Sequence, residues 1–122
     1  MVQLNTILKV ADNSGAKYFE VITVLGGSNK KFGRIGDRVS GVVKGANPDG
    51  NVKDHQKCHA VIVRTKKEFR RKDGTYIKFD DNAVVLINKA GEPIGTAVFG
   101  PIAREIKDKG YNKIASLAPE LL

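Results

Sequence analysis

Apolar and polar residues alternate with a period of two along much of the chain, the period of a strand with one buried face. Arg38–Lys44 (Arg-Val-Ser-Gly-Val-Val-Lys) carries this pattern, as do Ile7–Val10 and residues 18–25. Residues 59–65, 75–79 and Ala83–Ile87 are further runs rich in β-branched or aromatic residues, with a shorter one at 95–98. Asn13-Ser14-Gly15, Gly26-Gly27, Pro48-Asp49-Gly50, Asp73-Gly74 and Ala90-Gly91 lie between or beside these runs and read as turns. Such a series predicts an all-β fold, a small barrel or a sandwich, where closure of a barrel removes exposed edges.

Two segments break the rhythm. Residues 60–65 and 76–79 flank a basic run, 66–72, and the turn Asp73-Gly74. The simplest prediction is a long antiparallel ribbon over about 60–80, with Asp73-Gly74 supplying the positive φ angles of a tight hairpin. Its tip would carry basic side chains beyond the barrel. In 101–108, Ile102 and Ile106 stand four apart, which predicts a short helix opened by Pro101 and stopped near Gly110. A second helical turn is expected at 113–117, before Pro119, so both helices fall within 101–118. Each is too short to be stable alone and must dock on the barrel.

Size and composition narrow the function. The 122 residues, 41% of them hydrophobic, fit one domain over 1–122, with no internal repeat, low-complexity tract or linker. The formal net charge of +8 points to a polyanionic partner, although like charge also serves to keep a soluble protein dispersed. The charge is concentrated. Residues 28–44 hold five bases against Asp37, and 60–79 hold seven against Glu68 and Asp73. No signal peptide is evident at the start, and no apolar run approaches the roughly 20 residues of a membrane span. Cys58 is the only cysteine, which rules out an intramolecular disulfide and agrees with a reducing cytoplasm. No membrane partner is expected.

Enzymatic chemistry finds little support. The stretch Gly26–Gly36 lacks both the Walker spacing and a GxGxxG pattern, so a nucleotide site is not expected. It reads better as a basic loop whose glycines let the backbone approach RNA phosphates; an ordinary solvated loop is the competing reading. His55, Cys58 and His59 form the one metal-like cluster, one ligand short of a closed zinc site; an acid such as Asp54 could complete the set, but strand or turn geometry would rarely bring all of them inward. Cys58 and His59 are neighbours, and neighbours on a strand face opposite ways, so they make a poor nucleophile and base. Asp80-Asp81 and Glu105 with Asp108 read as a turn and as the polar side of a helix. No catalytic residue, metal or cofactor is expected, and the chain is not read as an enzyme.

The basic residues carry the signal. Guanidinium forks match phosphate oxygens, and lysines act more as point charges. The expected RNA-binding residues are Lys30, Lys31 and Arg34 in the loop and Arg64, Lys66, Lys67, Arg70, Arg71, Lys72 and Lys78 in the ribbon. Phe69 and Tyr76 lie among them, each suited to stack on an unpaired base or to anchor the ribbon. Phe69, between charged residues, is the stronger candidate for stacking.

In order and spacing, Lys9-Val-Ala-Asp-Asn-Ser-Gly-Ala16, Val24-Leu-Gly-Gly-Ser28, Ile35-Gly-Asp37, Ala60-Val-Ile-Val-Arg-Thr-Lys-Lys67, Arg70-Arg71, Asp73-Gly74, Tyr76-Ile77, Phe79-Asp80, Asn82-Ala83, Phe99-Gly-Pro101 and Ile114-Ala-Ser-Leu-Ala-Pro-Glu-Leu-Leu122 closely resemble the bacterial-type family of large-subunit ribosomal protein fourteen. The resemblance implies a five-stranded β-barrel with a projecting β-ribbon and short C-terminal helices. It implies a structural role in the cytoplasm, on the large ribosomal subunit, binding large-subunit rRNA and helping to bridge to small-subunit rRNA. Implied partners are ribosomal proteins three and nineteen and a ribosomal silencing factor, the last facing Thr96, Ala97, Lys113 and Ser116. The chain departs from the family pattern at His55-Gln-Lys-Cys58, at Glu68-Phe69, at Lys72 where proline is common, and at Ala97 where arginine is frequent. The rival readings are a free-standing RNA-binding barrel, an enzyme built on the His55, Cys58 and His59 cluster, and a protein-interaction domain with an apolar patch.

Overall fold

The computed structural model describes residues 2–3, 6–25 and 32–122. Its elements are β1 (Val2–Gln3), β2 (Ile7–Val10), β3 (Tyr18–Val24), β4 (Phe32–Gly33), β5 (Arg38–Lys44), β6 (Lys57–Arg64), β7 (Phe69–Arg70), β8 (Tyr76–Ile77), β9 (Ala83–Ile87), α1 (Glu105–Asp108) and α2 (Asn112–Leu117). Five strands close into a barrel in the order β2-β3-β5-β6-β9. Four of its neighbour pairs are antiparallel, and β2 with β9, the parallel pair, completes the circle.

The alternation seen in the sequence sets the inward face. In β5, Val39, Gly41 and Val43 are buried and the residues between them are half-exposed. In β3, Phe19 and Val21 point inward, Ile22 and Thr23 both face out, and Val24 turns back in. A break in register between Val21 and Thr23, opposite Gly41 and Ser40, accounts for this shift, since a bulge adds one residue and moves the phase. Gly41 fits because nothing larger would: a Cβ there would stand 2.0 Å from the Glu20 carbonyl oxygen.

All five residues of β9, and β6 from Ala60 to Arg64, are buried whichever way they point. Two-sided burial of this kind needs a cover outside the barrel as well as a core inside. The C-terminal segment provides it, with Ile102, Ala103, Ile106 and Ile114 joining the same apolar cluster as Ile62, Val84 and Leu86. Each fully buried Val, Leu or Ile contributes about 1.5–3 kcal/mol, so the barrel holds together through its own core.

The structure alters three expectations. Helix α1 covers Glu105–Asp108 and not the whole of 101–108, because the backbone at Ile102 is taken by the C-terminal tail: its N–H donates to the Glu120 carbonyl (3.1 Å) and its carbonyl accepts from the Leu122 N–H (2.9 Å). Residues 95–98 form no strand and make only an isolated pairing of Val98 with Asp12. Finally, residues 60–65 do not pair with 76–79 along a long ribbon. Ala60 and Val61 pair with both β5 and β9, Ile62 pairs with β9, and the ribbon starts only at Thr65, whose carbonyl accepts from the Phe79 N–H at 2.9 Å.

A buried carboxylate ties the first turn to the barrel wall. Asp12, 4% exposed, accepts hydrogen bonds from the Ser14 N–H (3.1 Å) and hydroxyl (2.6 Å) and from the Leu86 N–H (3.0 Å). Burial raises its pKa against the opposing pull of these bonds.

Candidate nucleic-acid interface

The projecting hairpin is short and well specified. Phe69 pairs with Ile77 and Arg70 with Tyr76, and the Arg71 N–H donates to the Thr75 carbonyl at 2.8 Å. At the tip, Gly74 takes φ +88, which glycine adopts without strain, and its N–H donates to the Arg71 carbonyl at 3.0 Å. The Asp73 carboxylate accepts from the Thr75 hydroxyl (2.6 Å) and N–H (3.0 Å), and these bonds hold it below its usual pKa.

Pairing fixes which side chains face solvent. Phe69 and Ile77 share one face and pack, half-buried, against the apolar core. Tyr76 is 66% exposed. The expectation that favoured Phe69 for stacking is therefore reversed: Phe69 anchors the ribbon, and Tyr76 offers the open ring.

The cations divide in the same way. Lys66, Lys67, Arg70, Lys72 and Lys78 are exposed, and no carboxylate among the described residues pairs with them. Arg64 is 7% exposed; its Nε lies 2.9 Å from the Asp81 carboxylate, and it donates to the Phe99 (2.9 Å) and Pro101 (3.2 Å) carbonyls. This guanidinium ties the barrel to the C-terminal segment. Arg71 pairs with Glu105 at 3.1 Å and donates to the Leu122 carbonyl, so it fastens the ribbon to α1 and the tail. Asp81 and Glu105 thus serve as partners for buried arginines.

Arg34 is exposed on a tight turn in which its N–H donates to the Asp37 carboxylate at 2.8 Å. Lys30 and Lys31, with the loop over residues 26–31, lie outside the described residues. Between Phe32–Asp37, the ribbon and the segment 104–109 runs an open cleft of about 1240 Å³. It is lined by Arg34, Lys67, Arg70 and Lys72, and also by Arg104 and Lys109. Sequence reasoning missed the last two. Their signal was faint, two basic residues among the acids of a short helical segment, and only the docking of α1 brings them to the ribbon.

On another side, the Asn13 side-chain oxygen accepts from the N–H groups of Thr96 (2.7 Å) and Ala97 (3.1 Å), while its amide donates to the Thr96 hydroxyl (2.8 Å). The next residue, Val98, donates its N–H to the Leu117 carbonyl at 3.4 Å, which sets this segment beside the end of α2. Helix α2 carries Lys113, paired with Glu92 at 3.0 Å, and Ser116, whose hydroxyl donates to the Lys113 carbonyl at 2.7 Å.

The His55, Cys58 and His59 cluster does not assemble. His55 sits in a turn at φ 62, exposed, while the His59 Nδ1 accepts from the Arg38 Nε at 3.1 Å. Burial, with the Asp12 charge adding to it, pushes the Cys58 thiol up to about 11, the opposite of an activated nucleophile. The described residues contain no group of three metal-type ligands, and no helix among them is long and apolar enough to cross a membrane.

The family model described as ribosomal protein L14p/L23e matches residues 1–122. Among curated proteins, the chain is 61% identical over 121 residues to the large ribosomal subunit protein uL14 of Petrotoga mobilis, an alignment covering 99% of each chain.

Proposed function

The chain belongs to the ribosomal protein L14p/L23e family, and from that premise we propose that the exposed cations of the ribbon and the adjoining turn are its phosphate contacts on large-subunit rRNA. The chain is a structural, non-catalytic, rRNA-binding constituent of the large subunit in the cytoplasm and contributes to intersubunit bridges. The contacts in this proposal are Lys66, Lys67, Arg70, Lys72, Lys78 and Arg34, together with Lys30 and Lys31. Arg64 and Arg71 leave the set, because their guanidinium groups are engaged inside the protein.

One observation carries this reading. Within the same basic run, Arg64 and Arg71 keep their side chains only 8% and 10% exposed and pair with the partly exposed Asp81 and Glu105, and the cations that remain outside pair with no carboxylate among the described residues. Cations outnumber the exposed Glu68 and Asp73 on this short projection, and an excess of one sign repels itself and is stabilised by a polyanion. In this reading residues 1–122 act as one RNA-binding unit, with the barrel as a rigid mount and the ribbon as the part that follows the phosphate backbone. Tyr76 stacks on an unpaired base at the same surface.

The finer partners belong to the same proposal. Thr96, Ala97, Lys113 and Ser116 form the face for a ribosomal silencing factor, supported by the Asn13 bonds and by the packing of that segment against α2. Ribosomal proteins three and nineteen are the expected neighbours, and the bridge to the small subunit is made through its rRNA.

Reconstitution of large-subunit rRNA with Arg70→Ala/Lys72→Ala tests the ribbon. Weaker incorporation by a folded variant is expected, and unchanged incorporation would remove these two residues from the interface. Thr96→Glu/Ser116→Glu, assayed for binding of the silencing factor to large subunits, tests the second face. Undiminished binding would refute that assignment.

A further inference from the structure

The outer wall of the barrel holds a second cluster that the ribbon does not explain. Strand register sets Lys9 of β2 opposite Tyr18 of β3, and Tyr18 opposite Lys44 of β5. All three face outward, since Leu8, Phe19 and Val43 beside them fill the core. Neighbouring strands lie about 4.8 Å apart, so the three positions form a row roughly 10 Å across with the ring at its centre. Tyr18 is 51% exposed. Lys9 is exposed, and Lys44 is partly so, its Nζ lying 3.6 Å from the Glu20 carboxylate.

The row is continuous with the ribbon. The Lys9 N–H donates to the Asn82 carbonyl at 3.1 Å, and the Asn82 side-chain oxygen accepts from the Lys66 N–H at 2.8 Å. Asn82 therefore joins the end of the row directly to the first exposed cation of the ribbon.

An aromatic face between two ammonium groups suits one nucleotide of a single strand: the base stacks on the ring, and the phosphates on either side meet the lysines. A protein partner fits less well, because lysines are depleted at the core of protein interfaces. We propose that Tyr18, flanked by Lys9 and Lys44, is a second RNA contact, a stacking platform for an unpaired rRNA base next to the strand followed by the ribbon. This inference rests on the rRNA reading above and extends it to a different face.

The test uses the full-length protein and a large-subunit rRNA transcript. After ultraviolet crosslinking and trypsin digestion, the peptide spanning residues 18–30, which begins at Tyr18, is expected to carry a nucleotide on that tyrosine. In filter binding, Tyr18→Ala weakens affinity roughly tenfold while Tyr18→Phe stays within about twofold of the parent, because the ring face and not the hydroxyl makes the contact. Lys9→Gln/Lys44→Gln lowers the slope of log affinity against log salt by about 1.4, at roughly 0.7 per single-strand phosphate. Arg70→Ala/Lys72→Ala is run alongside. If that ribbon variant weakens binding and Tyr18→Ala does not, the platform is overturned and the ribbon reading stands. Should Tyr18→Ala leave rRNA affinity unchanged yet strip a ribosomal protein from reconstituted particles, the face is a protein contact and the proposal is likewise overturned.

Discussion

Barrel and ribbon lie side by side in the chain, yet different forces hold them. Each barrel strand is hydrogen-bonded on both sides, and its inner side chains are fully or nearly fully buried. The ribbon has two paired positions on each strand, one half-buried face, and an ion pair from Arg71 to Glu105. An isolated two-stranded hairpin of that size is marginal in water. The contrast separates two tasks: the barrel supplies stability on its own, and the ribbon keeps its charges outside, where the proposed phosphate contacts would cost the core little.

The largest test of this division lies inside the barrel. Gly41→Ala drives a Cβ into the Glu20 carbonyl and to 2.9 Å from the Phe19 ring, so β3 and β5 must part. A loss of about 3 kcal/mol or more is expected in urea unfolding. A near-normal midpoint would mean that the barrel wall is softer than its packing implies.

Next in size is the reactivity of Cys58. With its pKa raised to about 11 by burial, the folded protein at pH 8 should be alkylated on the order of a hundredfold more slowly than the urea-unfolded chain. A thiol pKa raised by folding stabilises the native state fully below its unfolded value and loses that contribution as pH rises through the folded value. Stability relative to Cys58→Ala should therefore decline between about pH 9 and 11. Equal alkylation rates for folded and unfolded chains would show that this side of the barrel opens readily.

A smaller effect is expected where the two regions meet. Arg71→Ala removes the partner of a partly buried Glu105 and should lower global stability by only about 1 kcal/mol. Protection from hydrogen exchange at the Arg71 and Gly74 amides should be lost to a greater degree, while the amides of β6 stay protected. Uniform loss of protection would make ribbon and barrel one cooperative unit.

Much of this was legible in the sequence, for identifiable reasons. Ile7–Val10 and Arg38–Lys44 match their strands end to end, and Tyr18–Val24 falls one residue short of the expected run, because an inward face imposes period-two spacing on the chain; Ala83–Ile87 also matches, as a continuous run of apolar, mostly β-branched residues. The length of the ribbon was not legible. Residues 60–65 carry the same β-branched signal whether they pair with 76–79 or with β5 and β9, and only closure of the barrel decides. For the proposed site, the basic run was legible but which of its cations stay exposed was not. Arg64 and Arg71 look like their neighbours in a basic run, and the acids that bury them, Asp81 and Glu105, come from later segments. Phe69 and Tyr76 exchanged roles for a related reason: which face of a two-stranded ribbon is covered depends on the body beneath it.

The most direct test of the division is the salt dependence of rRNA binding by Lys66→Ala/Arg70→Ala/Lys72→Ala, measured alongside its urea unfolding. The slope of log affinity against log salt is expected to fall by about 2–3, at roughly 0.7–0.9 per lost phosphate contact, with an unfolding free energy within about 0.5 kcal/mol of the parent. An unchanged slope, or a barrel that unfolds with its ribbon charges removed, would contradict the division.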